Sequence, residues 1–262
     1  MYFAHLGSES SAKKTNNKGE DTHESIYVTS KNIIDSIEKF SKDTIFFFPS
    51  SATIYEGYIN TNVNEKTVPK PKTNYSLARY AAQQYIEEKI EISNLQLNNG
   101  IMFSHESEFR RPNFFTKQIS QFLVEYKKKG ELKLEVGDLS LERDIGYAKD
   151  YVDAVYQIML ANKRTNFIIS SNKLYSLSYF IDTCLNFLDI DYEVIKNKNH
   201  ISYIDKNTNY EFIKSTKNEY REYDLRGIKG DNSKIFKNLG WSPKKELEEI
   251  CKIMITYDLK NN

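Results

Sequence analysis

The sequence has 262 residues, with 37 lysines and arginines against 36 aspartates and glutamates, so its formal net charge is +1. This balance argues against a polyanionic partner such as nucleic acid or an anionic membrane surface, while 39% hydrophobic and 13% aromatic residues suffice for a sizeable core. The apolar runs 1–4 and 45–48 are far too short to span a bilayer, and two cysteines far apart in sequence favour reduced thiols in a cytoplasmic protein.

Apolar patterns along the chain predict strands that alternate with helices. The predicted strands are 2–6, 44–49, 95–103, 132–136, 167–170 and 192–195. The predicted helices are 26–40, 75–90, 114–127, 147–160, 177–188 and 244–257. We expect 60–74, which contains two prolines and lacks periodicity, to be a connection, and 196–209, which is rich in asparagine and lysine, to form solvated turns. The alternation predicts a layered α/β fold with a parallel sheet.

The usual phosphate-binding and metal-binding motifs are absent from the sequence. Its ten glycines form no GxGxxG, GxxGxxG, GxxxxGK[ST] or GxSxG pattern. Its four histidines form no HExxH, and there is no CxxC. We therefore expect no metal site.

One polar pair stands at the start of a predicted helix. Tyr75 and Arg79 are four residues apart and share a helix face. A neighbouring cation stabilises phenolate, which allows a tyrosine to act as a base toward a sugar hydroxyl. Ser51, just after the strand 44–49, could hydrogen-bond the same hydroxyl.

Longer segments carry a resemblance to a known family. They read GIMFSHES at 100–107, FFTKQI at 114–119, VGDLSLERDIGYAKDYV at 136–152 and LGWSP at 239–243. These segments resemble NGILFNHES, FVTRKI, LGNxxxxRDWGHAKDYV and LGWxP of the GDP-mannose 4,6-dehydratases, in the extended short-chain dehydrogenase/reductase superfamily. The resemblance covers nearly the whole chain and begins at residues 2–8.

The resemblance implies an α/β fold: an incomplete Rossmann-like doubly wound parallel sheet with a smaller C-terminal α/β substrate-binding domain. Residues 1–107 and 145–170 would form the NAD(P)-binding domain, starting at the family's fourth strand. Residues 108–144 and 171–262 would form the nucleotide-sugar-binding domain.

The resemblance also assigns catalytic positions. Ser51 and Tyr75 match the family's serine or threonine and its YxxxK tyrosine, whereas Arg79 replaces the lysine. Thr53 replaces the glutamate that removes the C5 proton, and Glu56 is a possible substitute base. The implied reaction turns GDP-mannose into GDP-4-keto-6-deoxymannose, with Tyr75 deprotonating the C4 hydroxyl.

NADP is the implied cofactor and a GDP-sugar the implied substrate. The cofactor-binding positions are Gly7, Ser8, Tyr75, Arg79, Ile101, Met102 and His105. The substrate-binding positions are Lys117, Gln118, Arg143, Arg221 and Asp224. Arg110 and Arg111 resemble a family arginine pair, with a solvated turn as the alternative. We further expect Trp241 to pack the tail helix onto the smaller domain.

The family's glycine-rich loop and first βαβ units have no counterpart before Tyr2, so we expect only the nicotinamide end of NADP to be contacted. We also expect the strand 2–6 to be an exposed apolar edge.

Three interpretations stay open: a dehydratase truncated or split between two chains, a nucleotide-sugar 4-epimerase or 4-keto reductase that needs no C5 base, and a non-catalytic nucleotide-sugar-binding remnant. The expected protein partner is either another copy of this chain, in a homo-oligomer, or a missing N-terminal half.

Overall fold

A computed structural model of the chain describes residues 1–6, 19–197, 200–216 and 225–261. The strands are β1 (Tyr2–Ala4), β2 (Ile45–Ser51), β3 (Asn62–Val63), β4 (Gln96–Met102), β5 (Ser104–Glu106), β6 (Leu134–Val136), β7 (Glu142–Tyr147), β8 (Asn166–Ile169), β9 (Leu174–Ser176), β10 (Tyr192–Lys196), β11 (Ile201–Asp205), β12 (Tyr210–Ser215) and β13 (Lys229–Gly230). The helices are α1 (Gly19–His23), α2 (Thr29–Phe40), α3 (Asn74–Ile92), α4 (Phe115–Lys129), α5 (Ala148–Ala161), α6 (Leu177–Phe187), α7 (Ser233–Leu239) and α8 (Leu247–Asn261). No helix within these described ranges is long and apolar enough to cross a membrane.

The main sheet is parallel and has the order β1-β2-β4-β8. Successive side chains of a strand point to opposite sides of the sheet, and the second strand, β2, carries apolar side chains on both sides. Phe46 and Phe48 pack with residues of α2 and α3, whereas Phe47 packs with residues of α5. Helices therefore cover both faces of the sheet, which confirms the predicted doubly wound α/β fold.

A second sheet, in the order β10-β11-β12-β6, packs against α4, α6 and α8. Its strands β10, β11 and β12 are antiparallel, and β6 joins β12 in parallel. The prediction of solvated turns over 196–209 was wrong, because this range contains β11. Tyr203 of β11 is fully buried, although polar residues surround it in sequence.

Some helix boundaries also differ from the prediction. The first helical region begins at Gly19 rather than at residue 26, and a π-helical turn, Glu24–Val28, joins α1 to α2. The last helix begins at Leu247 rather than at residue 244. The Asp150 carboxylate accepts hydrogen bonds from the backbone N–H groups of Lys244 and Lys245, and these two residues precede the helix.

The tail does not pack as predicted around Trp241. This side chain is buried against α5, where its indole N–H donates to the Asp150 carbonyl at 3.1 Å and its ring lies 6.1 Å from that of Tyr151. Trp241 belongs, with Ile235 of α7, to the core beneath the main sheet. Ile235 and Trp241, which lie in the predicted nucleotide-sugar-binding domain, therefore pack on the predicted NAD(P)-binding domain.

A buried ion pair joins α4 to α8. Lys117 Nζ lies 2.5 Å from Asp258 Oδ1 and also donates to the Glu108 carbonyl at 2.9 Å. Ser120 donates to Asp258 Oδ2 at 2.7 Å. Both charged side chains are almost fully buried, so each requires the other for compensation.

We expect Lys117→Met and Asp258→Asn each to lower the free energy of unfolding by about 3–5 kcal/mol, because each leaves a buried group without its partner. Urea denaturation measures this loss. The control is Lys129→Met, which removes an exposed pair with Glu125 and should cost less than about 1 kcal/mol. Equal losses of unfolding free energy in Lys117→Met and Lys129→Met would contradict a stabilising role of the buried ion pair.

Candidate active site

The candidate site lies where β2 and β4 end and α3 begins. Ser51, the last residue of β2, pairs with Met102, the last residue of β4. Ile101 precedes Met102 and is fully buried. In open parallel sheets, ligands bind beyond the carboxyl ends of the strands.

The predicted Tyr75–Arg79 pair forms a direct contact in the first turns of α3. Arg79 Nε donates to the Tyr75 hydroxyl at 3.2 Å, and Arg79 Nη1 donates to the Pro49 carbonyl at 2.8 Å. The guanidinium carbon also lies 5.6 Å from the centre of the Phe48 ring. The tyrosine and the arginine are 8% and 5% exposed, so the cation is fixed beside the phenol in a largely dry environment.

The two hydroxyl residues after β2 contact each other. Ser51 Oγ accepts hydrogen bonds from the backbone N–H of Thr53 at 3.3 Å and from its hydroxyl at 3.0 Å. These bonds cap the short 3-10 helix Ala52–Tyr55. Ser51 is thereby oriented, and the Thr53 hydroxyl lies beside it.

Glu56, considered above as a substitute base, has a structural role. Its Oε1 accepts from the backbone N–H groups of Lys72 and Thr73, at 2.7 and 2.6 Å, and from the Ser76 hydroxyl. Thr73 and Ser76 also form a capping box at the start of α3. The carboxylate is buried and sits at the helix N-terminus, where negative charge is favoured. These bonds argue against a role of Glu56 as a base.

His5 is a buried residue of this region that the sequence analysis missed. Its backbone N–H donates to Phe47, and its Nδ1 lies 3.1 Å from Ser30 Oγ. Because Ser30 donates its own proton to the Ile26 carbonyl, it accepts from His5. Burial and then the charge of Arg79 lower the pKa of His5. The available signal in the sequence was its position within the predicted strand 2–6.

A cavity of about 260 Å³ opens beyond β5. It is lined by His105, Ser107, Phe109, Arg110, Arg111, Phe114 and Ala148. The Arg110 guanidinium carbon lies 3.5 Å from the centre of the Phe114 ring, and its Nε lies 3.1 Å from Glu106 Oε2. The structure thus places both members of the predicted arginine pair at one cavity.

A second arginine, Arg143, also acts on the Glu106 carboxylate. Burial raises the pKa of Glu106, while the charges of Arg110 and Arg143 and a hydrogen bond from Thr116 oppose this rise. Arg143 lies on β7, which pairs with β5. A surface with several guanidinium groups suits a diphosphate, because guanidinium groups bind phosphate oxygens in pairs.

His105 forms the inner wall of this cavity. Its Nδ1 lies 2.8 Å from the Phe103 carbonyl, and its ring lies 5.2 Å from that of Tyr151. Burial and the charge of Arg110 lower the pKa of His105 to about 4, against the opposing effect of the Phe103 hydrogen bond. The imidazole is therefore neutral at pH 7, and its Nδ1–H donates to the Phe103 carbonyl.

The other predicted positions are less informative. Gln118 is exposed on α4. The ammonium of Lys117 is occupied by Asp258 and Glu108, which argues against its predicted contact with substrate phosphate. Four predicted positions, Gly7, Ser8, Arg221 and Asp224, lie outside the described residues.

In the described ranges, no group of three or more histidine, cysteine or acidic side chains could hold a metal ion.

The lowered pKa of His105 gives a pH dependence with a defined sign. The folded protein resists protonation of this imidazole, whereas the unfolded chain accepts a proton near pH 6.5. We therefore expect the unfolding free energy to fall by up to about 3 kcal/mol as the pH decreases from 6.5 to 4. His105→Gln should remove most of this slope.

Urea denaturation across this pH range measures the slope, with His23→Gln, at an exposed position, as the control for loss of an imidazole. NMR titration of His105 provides a direct check. An imidazole that titrates near pH 6.5 in the folded protein would contradict this account.

Known proteins resemble the chain in sequence. A profile of the family described as "GDP-mannose 4,6 dehydratase" matches residues 2–254. GDP-mannose 4,6 dehydratase 1 of Arabidopsis thaliana is 29% identical over 197 residues, which is 75% of this chain and 50% of the relative. GDP-mannose 4,6 dehydratase 2 of Caenorhabditis elegans is 26% identical over 97% of this chain and 67% of its own length, and the Homo sapiens enzyme is 26% identical over 97% and 69%. The chain thus spans about half to two thirds of these relatives.

Solved structures show the fold. RMD from Pseudomonas aeruginosa, complexed with NADPH, superposes with a TM-score of 0.83 at 14% identity, over 99% of this chain and 81% of that one. UDP-glucose 4-epimerase from Thermotoga maritima, with UDP-glucose, has a TM-score of 0.78 at 20% identity, over 99% and 77%. At such identities the likeness establishes the architecture alone. With the family profile matching almost the entire sequence, the chain belongs to the GDP-mannose 4,6-dehydratase family.

Proposed function

We propose that the chain supplies the catalytic hydroxyl groups and the substrate-binding region of a GDP-mannose 4,6-dehydratase, which forms GDP-4-keto-6-deoxymannose. The observation that carries this proposal is the hydrogen bond from Arg79 to the Tyr75 hydroxyl, beside the end of β2 that carries Ser51. Family membership suggests the reaction, and the described geometry supports Tyr75 as its base.

The residues at the ends of β2 and β4 suit the nicotinamide end of NADP. Ser51 and Met102 flank the place that a ligand takes beyond parallel strands, and Met102 offers an apolar surface to a ring. When bound, the cofactor supplies the oxidant for C4 of the sugar. The structural relative from Pseudomonas aeruginosa binds NADPH, which supports this assignment.

Tyr75 is the proposed base toward the C4 hydroxyl, and Ser51 is its proposed hydrogen-bond partner. Deprotonation of the C4 hydroxyl leaves a proton on the phenol oxygen and allows oxidation at C4. Arg79 donates directly to the phenol oxygen and so orients it for this transfer. Pro49 and Phe48 hold the guanidinium in this position.

The cavity beyond β5 is the proposed site for the nucleotide diphosphate. Arg110 and Arg111 line it, and Arg143 lies on the neighbouring strand β7. Phe109 and Phe114 provide aromatic surface in the same cavity. Guanidinium groups match phosphate, and aromatic rings match a nucleotide base, so the lining fits the substrate class of the family.

A second candidate function is supported by Thr53 and Glu56. Thr53 offers a hydroxyl where the resembling family has its glutamate base, and the Glu56 carboxylate is occupied at the start of α3. A nucleotide-sugar 4-epimerase or 4-keto reductase requires oxidation or reduction at C4 without removal of the C5 proton. The Tyr75–Arg79 pair suits this chemistry equally well.

We also propose that the protein acts as an oligomer. Large apolar side chains of α2 and α3 are exposed, among them Phe40 at 76% and Leu77 at 49%. Such side chains suit packing against another copy, because exposed apolar surface of this kind often marks an interface.

The chain incubated with NADP and GDP-mannose should release a product that lacks one water, detected by mass spectrometry. Tyr75→Phe should lower the rate about 10²–10⁴-fold, as expected for loss of a general base. Arg79→Met should also lower the rate, because it removes the donor to the phenol oxygen. Tyr80→Phe, in the same helix, is the matched control.

Thr53→Glu separates the two candidate functions, because it restores a carboxylate beside Ser51. It should increase water loss if the chain is a dehydratase. Formation of the C4 epimer without water loss would favour the second candidate. Bound NADP and GDP-mannose with no conversion of either kind would contradict both.

A further inference from the structure

The loop between β5 and α4 carries Arg110, and local turns fix its backbone. The Ser107 carbonyl accepts a hydrogen bond from the Arg110 N–H at 3.1 Å, and the Ser107 hydroxyl accepts one from the Phe109 N–H at 3.2 Å. The Arg111 carbonyl then accepts from the Phe114 N–H at 3.1 Å. Two turns in succession therefore set the path of the chain along the cavity.

The Arg110 side chain is held on two sides. Its Nε lies 3.1 Å from Glu106 Oε2, and its guanidinium carbon lies 3.5 Å from the centre of the Phe114 ring. In the part of the chain that the structure describes, Arg110 Nη1 and Nη2 form no hydrogen bond or ion pair. Because Arg110 lines the cavity, these two groups are left for a ligand.

Glu106 supports Arg110 from inside the protein. It is 5% exposed, and the Thr116 hydroxyl donates to its Oε2 at 2.7 Å. A buried carboxylate requires such partners, because the loss of hydration is otherwise uncompensated. Glu106 is not among the residues that line the cavity, so it acts on a ligand through Arg110 rather than by contact.

We propose that Glu106 is a positioning residue, which fixes Arg110 so that both Nη groups are presented to a diphosphate group in the cavity. Two parallel N–H groups of one guanidinium match two phosphate oxygens, and an arginine that is already held loses less side-chain freedom on binding. GDP-mannose and NADP both carry a diphosphate. The proposal rests on the proposed use of this cavity as a diphosphate site and adds the residue that orients its arginine.

The test titrates GDP and NADP separately against the full chain by calorimetry. Glu106→Gln removes a negative charge beside the cavity, and by charge alone this change would strengthen the binding of an anion. We expect the opposite sign: about 3–10-fold weaker binding of GDP, NADP or both, because Arg110 is no longer held. The ligand that is affected identifies the source of the diphosphate.

Glu108→Gln is the matched control. It makes the same change of charge in the same loop, but the Glu108 carboxylate accepts from the Tyr147 hydroxyl, at 3.3 Å, rather than holding an arginine. We expect it to leave binding of both ligands unchanged or slightly stronger. Weaker binding in Glu108→Gln, equal to that in Glu106→Gln, would overturn the proposal.

A double-mutant cycle separates positioning from a merely structural role. Arg110→Met should weaken binding of the same ligand by about 10–100-fold, as expected for lost hydrogen bonds to a charged group. Adding Glu106→Gln to Arg110→Met should change the affinity by less than about two-fold, because Glu106 acts through Arg110. Thermal unfolding should show that all variants fold. Additive losses in the double variant would overturn the proposal.

NMR of the unchanged chain without ligand tests the positioning directly. The Arg110 Nε–H resonance, assigned by its loss in Arg110→Met, should exchange with water more slowly than that of the exposed Arg226. Equal exchange at the two arginines would overturn the proposal. So would unchanged or stronger binding of both ligands in Glu106→Gln, or failure of both to bind the unchanged chain. Binding without conversion of GDP-mannose would contradict the proposed reaction alone and leave the role of Glu106 supported.

Discussion

The position of the candidate base depends on one buried carboxylate. Glu56 lies just after β2 and accepts the backbone N–H groups of Lys72 and Thr73, so it ties the start of α3 to the end of the sheet. Helix N-termini leave backbone donors unsatisfied, and a carboxylate there satisfies them and complements the helix dipole. Tyr75 lies two residues beyond Thr73, and its hydroxyl is therefore presented beside the carboxyl end of β2.

Within this arrangement, neighbouring ionisable groups have different roles. Arg79 is fixed by Pro49 and reaches the phenol oxygen, so its charge acts on Tyr75. The arginines near the cavity beyond β5 would offer positive charge to the proposed nucleotide diphosphate. His105, which lines the same cavity, is kept neutral by burial. A base supported by one cation, and a separate cationic cavity, is what an enzyme acting on an anionic sugar nucleotide requires.

The sequence predicted the elements that carry regular apolar patterns, and it predicted the Tyr75–Arg79 contact because both residues share one helix. It did not predict the role of Glu56, whose partners lie 16 or more residues away and are backbone N–H groups and hydroxyls. The strand β11 was missed because its polar neighbours hide a short buried segment. Trp241 was misplaced because its contacts with Asp150 and Tyr151 arise only from tertiary packing.

Amide hydrogen exchange at Lys72 and Thr73 tests most directly whether Glu56 holds the start of α3. The account predicts slow exchange at both amides in the unchanged chain and rapid exchange in Glu56→Ala, with Glu91→Ala at the exposed end of the same helix as the control. Exchange in the unchanged chain as fast as that of an exposed loop would contradict the account. So would protection that survives the loss of the carboxylate.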